Sequence, residues 1–228
     1  MSLRSREAEL MDGEALSYAE FRDCLHQLDA INGLSLGHRP TLRWLARLAG
    51  ERRSLSVLDL GSGGGDMLRR IAAWAARRGI EAHLVGLDLN PMAARAAAEA
   101  TPPGLPIQWV TADAMTWTPP ERPDAVISAL FAHHLEDEAI IALLRRMQSM
   151  ARLGWFVNDL HRHWLPEHFL RLAFRWPGVN RLVRHDGPVS VRRALTRPEW
   201  QSLLDRARVE AEITWHFPFR WGVGTHAA

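Results

Sequence analysis

Leu55-Ser56-Val57-Leu58-Asp59-Leu60-Gly61-Ser62-Gly63-Gly64-Gly65-Asp66 decides the fold. Its first half is a short, mostly apolar run that ends in glycines, the pattern of a buried strand. Met67 to Arg78 follows with helical spacing and is closed by Gly79. Glycines between a strand and a helix allow a tight turn and let a ligand approach the backbone. A dinucleotide loop of the form G-x-G-x-x-G, begun at Gly61 and Gly63, needs its third glycine where Asp66 stands. A carboxylate there faces the pyrophosphate at the helix N-terminus and repels it. Asp66 read only as a first-turn acid suits the helix dipole. That reading leaves Asp59 and the three alternate glycines without a reason. A ligand that carries positive charge and no phosphate suits both acids.

Outward from this loop, strands alternate with helices. Strands are expected at Ala82–Leu87, Pro106–Val110, Ala125–Ser128 and Gly154–Leu160, and helices at Pro91–Ala100, Glu136–Met150 and Pro198–Arg206. That rhythm predicts an α/β, Rossmann-like, doubly wound sheet. Before it, residues 18 to 30 form an amphipathic helix, Asn32-Gly33 a turn and Pro40–Ala49 a second helix. Residues 161–196 break the rhythm with Pro166, Pro177, Gly178, Gly187 and Pro188 between short helical pieces, and read as a helical cap. Val209–His216 and Phe219–Val223 read as a closing hairpin, with Pro218 near its turn. A single domain over 1–228 is expected: an N-terminal helical lid (1–52), a ligand-binding core (53–160), the cap insertion (161–196) and a closing helix and hairpin (197–228).

Composition narrows the class. The 228 residues are 47% hydrophobic, enough for a sizeable core. No run of about 18 apolar residues is present, so no membrane span is expected. Met1 to Leu10 lacks the apolar stretch of a secretory signal. Cys24 is the only cysteine and suits a reducing, cytoplasmic setting. All 28 basic residues are Arg and the net charge is only +2, so no nucleic-acid partner is expected. Ten Trp predict indole in the core or in a pocket wall.

The second strand ends in Gly86-Leu87-Asp88-Leu89-Asn90, where an acid can accept both hydroxyls of a ribose. The third leads to Thr111-Ala112-Asp113-Ala114, where an acid can accept an adenine amine or simply close its own turn. With Asp59 and the glycines, these motifs in order resemble the class I S-adenosylmethionine (SAM) dependent methyltransferases, over roughly Leu55 to Leu160. The resemblance implies a seven-stranded, mostly parallel sheet with one antiparallel strand. It implies SAM as cofactor and S-adenosylhomocysteine as product. Gly61, Gly63 and Gly65 would bracket the methionine part, with Asp59 nearby. Asp88 would hold the ribose, Asp113 and the Ala114 backbone the adenine, and Leu89 and Met115 would wall the base. Ser128, ending the fourth strand, joins this cofactor set.

After the fourth strand stands Ser128-Ala129-Leu130-Phe131-Ala132-His133-His134-Leu135. The Asn/Asp-Pro-Pro-Tyr/Phe of enzymes that methylate nucleobase amines is absent. The His-His-Leu form is similar to small-molecule methyltransferases of quinone, phenol and polyketide biosynthesis, a setting of secondary metabolism. A small-molecule hydroxyl is therefore the expected acceptor. C-methylation, an RNA or protein acceptor, and SAM binding without catalysis are the alternatives. A histidine suits the base near neutral pH. His133 and His134 are the first candidates, His134 slightly preferred, and His161 is the second. Asn158-Asp159-Leu160-His161-Arg162-His163 ends the fifth strand, and alternation puts Asp159, His161 and His163 on one side. They read as acceptor-binding groups or as braces for the loop; a divalent-metal trio is weighed, but no metal is expected. Trp164, with the cap's other aromatics, reads as cap packing or as acceptor pocket. The pattern does not fix an oligomeric state.

Overall fold

The computed structural model describes residues 3–13 and 15–226. Met1, Ser2 and Glu14 of the expected lid, and Ala227 and Ala228 of the closing segment, lie outside the described residues. Helices α1 (Leu10–Gly13), α2 (Tyr18–Leu34) and α3 (Arg39–Ala49) precede the sheet. Then come β1 (Ser54–Leu60), α4 (Asp66–Arg77), β2 (Glu81–Asp88), α5 (Pro91–Ala100), β3 (Ile107–Thr111) and β4 (Ala125–Ala129). A 3₁₀ turn at Ala132–His134 leads to α6 (Asp137–Met150) and β5 (Gly154–Leu160). The cap contributes α7 (Trp164–Ala173) and α8 (Arg181–Arg193), and α9 (Arg197–Ala207), β6 (Glu212–His216) and β7 (Arg220–Gly224) close the chain.

The seven strands run in the order β3-β2-β1-β4-β5-β7-β6. Strands β1 to β5 pair in parallel, and β7 runs antiparallel to both β5 and β6. This is the Rossmann-like sheet with one reversed strand. The chain reverses its winding between β1 and β4, so the turns after these two strands open on the crevice where such sheets bind ligands.

Strand alternation sorts the core. Leu58 and Leu60 face one layer, with Ile140, Leu144 and Trp155. Leu55 and Val57 face the other, with Leu45, Leu68 and Ile71. The same period of two puts Asp59 on the Val57 side, directly before α4. Trp44, Trp155 and Trp200 are fully buried, whereas Trp164, Trp176 and Trp215 are exposed, so only part of the indole forms core. No helix of the described residues is long and apolar enough to cross a membrane.

Three elements depart from the sequence expectation. Helix α2 runs through Asn32-Gly33, and the turn falls at Ser35–Gly37 with Leu36 at φ 57°. The Asn32 side chain accepts from Arg220 and donates to Asp66, so it is unavailable to cap a turn of its own. Helix α8 continues across Gly187 and Pro188. Proline inside a helix costs about 3 kcal/mol, and here burial of Leu182, Val183, Val189 and Val191 offsets it. Val209 belongs to the turn that closes α9 rather than opening β6, because its N–H donates back to the Leu204 carbonyl across Arg208, at φ 56°.

Gly63 and Gly65 both sit at positive φ, but only Gly65 is pressed by a neighbour, the Trp109 ring. Gly63→Ala should lose the left-handed strain alone, about 1–2 kcal/mol. Gly65→Ala should lose clearly more, through collision with Trp109. Urea unfolding compares them, and equal losses would contradict this packing.

Candidate active site

The turn after β1 is hooked onto the end of β2. The N–H groups of Gly61 and Ser62 both donate to the Leu87 carbonyl at 2.9 Å. Gly63 N–H donates to Asp88 Oδ2 at 2.8 Å, and Asn90 N–H to Asp88 Oδ1 at 2.9 Å. The three glycines divide their roles. A side chain on Gly61 would meet Phe131, and one on Gly65 would meet Trp109, whereas the space over Gly63 is open. Gly61 and Gly63 line the main cavity and Gly65 does not. Gly65 thus allows close packing of the start of α4 against Trp109.

Three carboxylates surround this turn. Asp59 is buried, and its Oδ1 has no hydrogen-bond partner. Burial, then the charges of Asp66 and Asp88, push its pKa well above the ordinary carboxylate value. Burial likewise raises Asp88, against the two backbone N–H bonds it accepts. Asp66 is also subject to burial, but bonds from His38 (2.6 Å) and Asn32 (3.2 Å), with the charges of His38 and Arg69, outweigh it and hold Asp66 low. Three crowded acids, one with an orphaned oxygen, form a site for positive charge.

The opposite wall is built on Asp159, buried at the end of β5. Its Oδ1 lies 2.7 Å from His133 Nδ1 and also accepts the Leu160 N–H, while Oδ2 accepts the His133 N–H. Burial opposes ionisation of Asp159, but His133 and these bonds keep its pKa below the ordinary value. An ionised carboxylate only accepts, so His133 Nδ1 carries hydrogen toward Asp159 and Nε2 is the nitrogen left on the other side of the ring. His133 Nε2 lies 3.6 Å from Glu9, a buried acid of the N-terminal arm. His134 Nδ1 pairs with Asp12 of the same arm at 2.8 Å. Arg193 and Arg4 donate to carbonyls of the His133-His134 turn and fix it.

His161 lines the cavity from the end of β5, where the Trp215 indole N–H donates to its Nδ1 at 3.2 Å. Burial, with His163 and Arg162 nearby, holds His161 below the ordinary histidine value. With Nδ1 accepting and the ring held neutral, Nε2 carries the hydrogen. Strand β5 stops at Leu160; the His161 and His163 rings lie 5.7 Å apart, both against Phe219, while Asp159 is engaged by His133. His163 caps α7 by accepting the Leu165 N–H, and its ring stacks on Phe219. Trp164 is 55% exposed. Neither His163 nor Trp164 lines the cavity. Among the described residues, the trios whose ligand atoms lie within 4.8 Å are Glu9–His133–His134 and Asp29–His38–Asp66.

Several expected cofactor contacts lie outside the cavity wall. Ser128 Oγ donates to the Leu60 carbonyl and clamps β4 to β1. Asp113 closes its own turn by accepting the Met115 N–H, and Ala114 is buried with its carbonyl bonded to Arg146. Asp88 and Asp113 nevertheless end neighbouring strands, joined by the bond from Ala112 N–H to the Asp88 carbonyl, beside the exposed Leu89.

The cavity measures about 560 Å³. Its walls are largely apolar, with Leu25 and Leu28 from α2, Leu165 and Phe169 from α7, and Val183 from α8. Glu9, Asp12 and Arg220 were missed in the sequence. The arm carried no periodic pattern to single out its acids. Arg220 did leave a signal, as the one charged residue in the apolar run of β7.

This sheet order, the reversed β7 and a glycine turn between β1 and α4 are the class I SAM-dependent methyltransferase fold. Residues 57–154 match the family model described as "Methyltransferase domain". A trans-aconitate 2-methyltransferase of Methylobacterium radiotolerans is 34% identical over 116 residues, which span 51% of this chain and 41% of that protein. The chain thus spans about two fifths of that relative. Human N-acetylserotonin methyltransferase, solved with SAM, superposes with a TM-score of 0.64 at 16% identity, over 91% of this chain and 56% of that one. A plantazolicin methyltransferase solved with S-adenosylhomocysteine gives 0.61 at 15% identity, over 91% and 96%. Magnesium protoporphyrin IX methyltransferase of Synechocystis gives 0.57 at 16% identity, over 94% and 90%.

The His134–Asp12 pair makes docking of the arm depend on pH. Burial works against the charged His134, but the Asp12 bond and the charges of Glu9, Asp12 and Asp159 raise it above 6.5. Its contribution is complete below 6.5 and is lost as pH rises through the raised value. Asp12 is opposed by burial yet held below 3.8 by His134, Arg193 and His133, so its contribution is present above 3.8 and lost as pH falls through the lowered value. Proton NMR should show a histidine titrating above 6.5 that returns toward 6.5 in Asp12→Asn. A spectrum without a raised histidine would contradict the pairing.

Proposed function

We propose that this chain transfers the methyl group of SAM to a small-molecule acceptor and releases S-adenosylhomocysteine. The hydroxyl of a phenolic, quinol or polyketide-like compound suits the site best. The observation that carries this reading is the His133–Asp159 pair, opening with the glycine turn onto one apolar cavity. The residues fit the cofactor. Asp66 supplies negative charge for a ligand that is cationic at sulfur and nitrogen, the orphaned Asp59 oxygen and Asp88 supply acceptors behind the turn, and Gly63 leaves open backbone for its approach. Asp88 and Asp113 are the groups for ribose and adenine. SAM supplies the electrophilic methyl group on a sulfonium that leaves readily.

The chain's residues then have three tasks. The apolar walls hold an aromatic acceptor and exclude water. His133 Nε2 takes the hydroxyl proton, and buried Asp159 stabilises the imidazolium that forms, an arrangement shared with Asp–His pairs elsewhere. His161 donates its Nε2–H to an oxygen of the acceptor. His133 replaces His134 as the preferred base, because Asp159 orients its ring from within the core while His134 is tied to a surface acid. The named relatives, acting on trans-aconitate and N-acetylserotonin, support a small acceptor. The helices before β1 and the α7–α8 cap are read as the cover of the cavity.

Labelled methyl from SAM, incubated with a cell extract, should enter the small-molecule fraction; label confined to macromolecules would overturn this reading. In the same assay, His133→Gln and Asp159→Asn should each lower turnover about 10²–10⁴-fold with SAM affinity retained. Asp88→Ala should instead weaken SAM binding by about 1.5–3 kcal/mol. Full activity of His133→Gln would remove the base, and unchanged affinity of Asp88→Ala would remove the ribose contact.

A further inference from the structure

Arg220 is a cation at the cavity wall whose one bond to Asn32 leaves most of its fork unused, and the proposed methyl transfer does not employ it. It is only 4% exposed, yet it lines the cavity. Strand β7 holds it between Leu160 of β5 and His216 of β6, and its guanidinium reaches toward the turn between α2 and α3. Gly37 keeps that room clear, since a side chain there would stand 2.6 Å from Nη2.

The guanidinium has five N–H hydrogens and one protein acceptor, Asn32 Oδ1, at 3.1 Å from Nη2. No carboxylate of the described residues pairs with it within 4.0 Å. The two nearby acids are engaged, Asp159 with His133 and Asp66 with His38 and Asn32. Nε and Nη1 have no protein acceptor, and neither is a sealed, unsatisfied atom. The residue borders both the cavity and a small pocket beside Gly37, His38 and Asp66. Buried Arg162 makes the contrast, because it donates to the Ala194 carbonyl and pairs with Glu199 at 2.6 Å.

Burial pushes Arg220 down to about 10, against the opposing charges of Asp159 and Asp66, and a group there stays protonated at neutral pH. A buried guanidinium without a paired anion is costly. Its planar fork matches a carboxylate through two parallel bonds. Resting on the methyltransferase reading above, we propose that Arg220 is a carboxylate anchor of the cavity. The carboxylate comes from the acceptor or from the methionine end of the cofactor. Both are within the logic of the site, because Asn32 links Arg220 to Asp66 beside the glycine turn, while His161 and Phe219 link it to the acceptor side.

The test uses the full chain as wild type, Arg220→Gln and Arg220→Lys, with thermal melts to establish that each variant is folded. Arg220→Lys keeps the charge without the fork, and so reports even where the glutamine variant fails to fold. Calorimetry measures S-adenosylhomocysteine and its decarboxylated analogue, and then benzoate and benzyl alcohol on protein saturated with S-adenosylhomocysteine. If the anchor serves the cofactor, Arg220→Gln weakens S-adenosylhomocysteine about ten- to a hundredfold and leaves the decarboxylated analogue unchanged. If it serves the acceptor, S-adenosylhomocysteine is unchanged, and wild type prefers benzoate to benzyl alcohol while Arg220→Gln does not. Arg220→Lys falls between wild type and Arg220→Gln in either case. Equal behaviour of all three proteins toward every probe overturns the anchor. Failure of wild type to bind S-adenosylhomocysteine at all is a separate result, which overturns the methyltransferase reading itself.

Discussion

The turn from Gly61 to Gly65 has to reverse the chain in five residues and leave no side chain in the way. Positive φ at Gly61, Gly63 and Gly65 makes this possible. Phe131 presses on the first glycine and Trp109 on the third, so the β4 loop and β3 pack against the turn from opposite sides. The paired bonds to the Leu87 carbonyl then lock the turn to β2. Asp66 is placed at the start of α4 by this geometry, and Asp59 is buried in β1 just ahead of Leu60 and the turn. The charge of the site thus follows from the backbone path.

The cavity is electrostatically divided. Around the glycine turn, Asp66 is held ionised at the cavity wall, with the acceptors of Asp59 and Asp88 behind the turn. On the β5–β7 side, the ionised Asp159 is consumed by His133, and Arg220 leaves a net positive end. A ligand that is cationic at one part and carries a carboxylate at another matches this division. The arm over the two histidines adds Glu9 and Asp12, both buried or paired, so that the proposed base His133 is in contact with the N-terminal segment.

Sheet and loop were legible because they rest on local rules: period-two burial, glycine at positive φ, and acids at the carboxyl ends of successive strands. The strands were found close to their observed ends, and β7 has the expected antiparallel sense. Tertiary contacts hid the rest. Asn32 reads as a turn residue until Arg220 and Asp66 claim its side chain. Pro188 reads as a break until burial of α8 outweighs it. Alternation brought His161 and His163 together against Phe219, but it did not show that His133 claims Asp159. Glu9 and Arg220 reach the site through folding of segments more than 200 residues apart, which no local pattern records.

The central claim is that Asp59, the glycine turn and Asp88 form a SAM site and not a dinucleotide site. Isothermal titration of the wild-type chain with SAM, S-adenosylhomocysteine and NAD tests it most directly. Binding of the first two in the micromolar range, with no heat from NAD, is the predicted result. Binding of NAD alone would contradict the account and require Asp59, Gly61 to Gly65 and Asp88 to be read as a divergent dinucleotide loop.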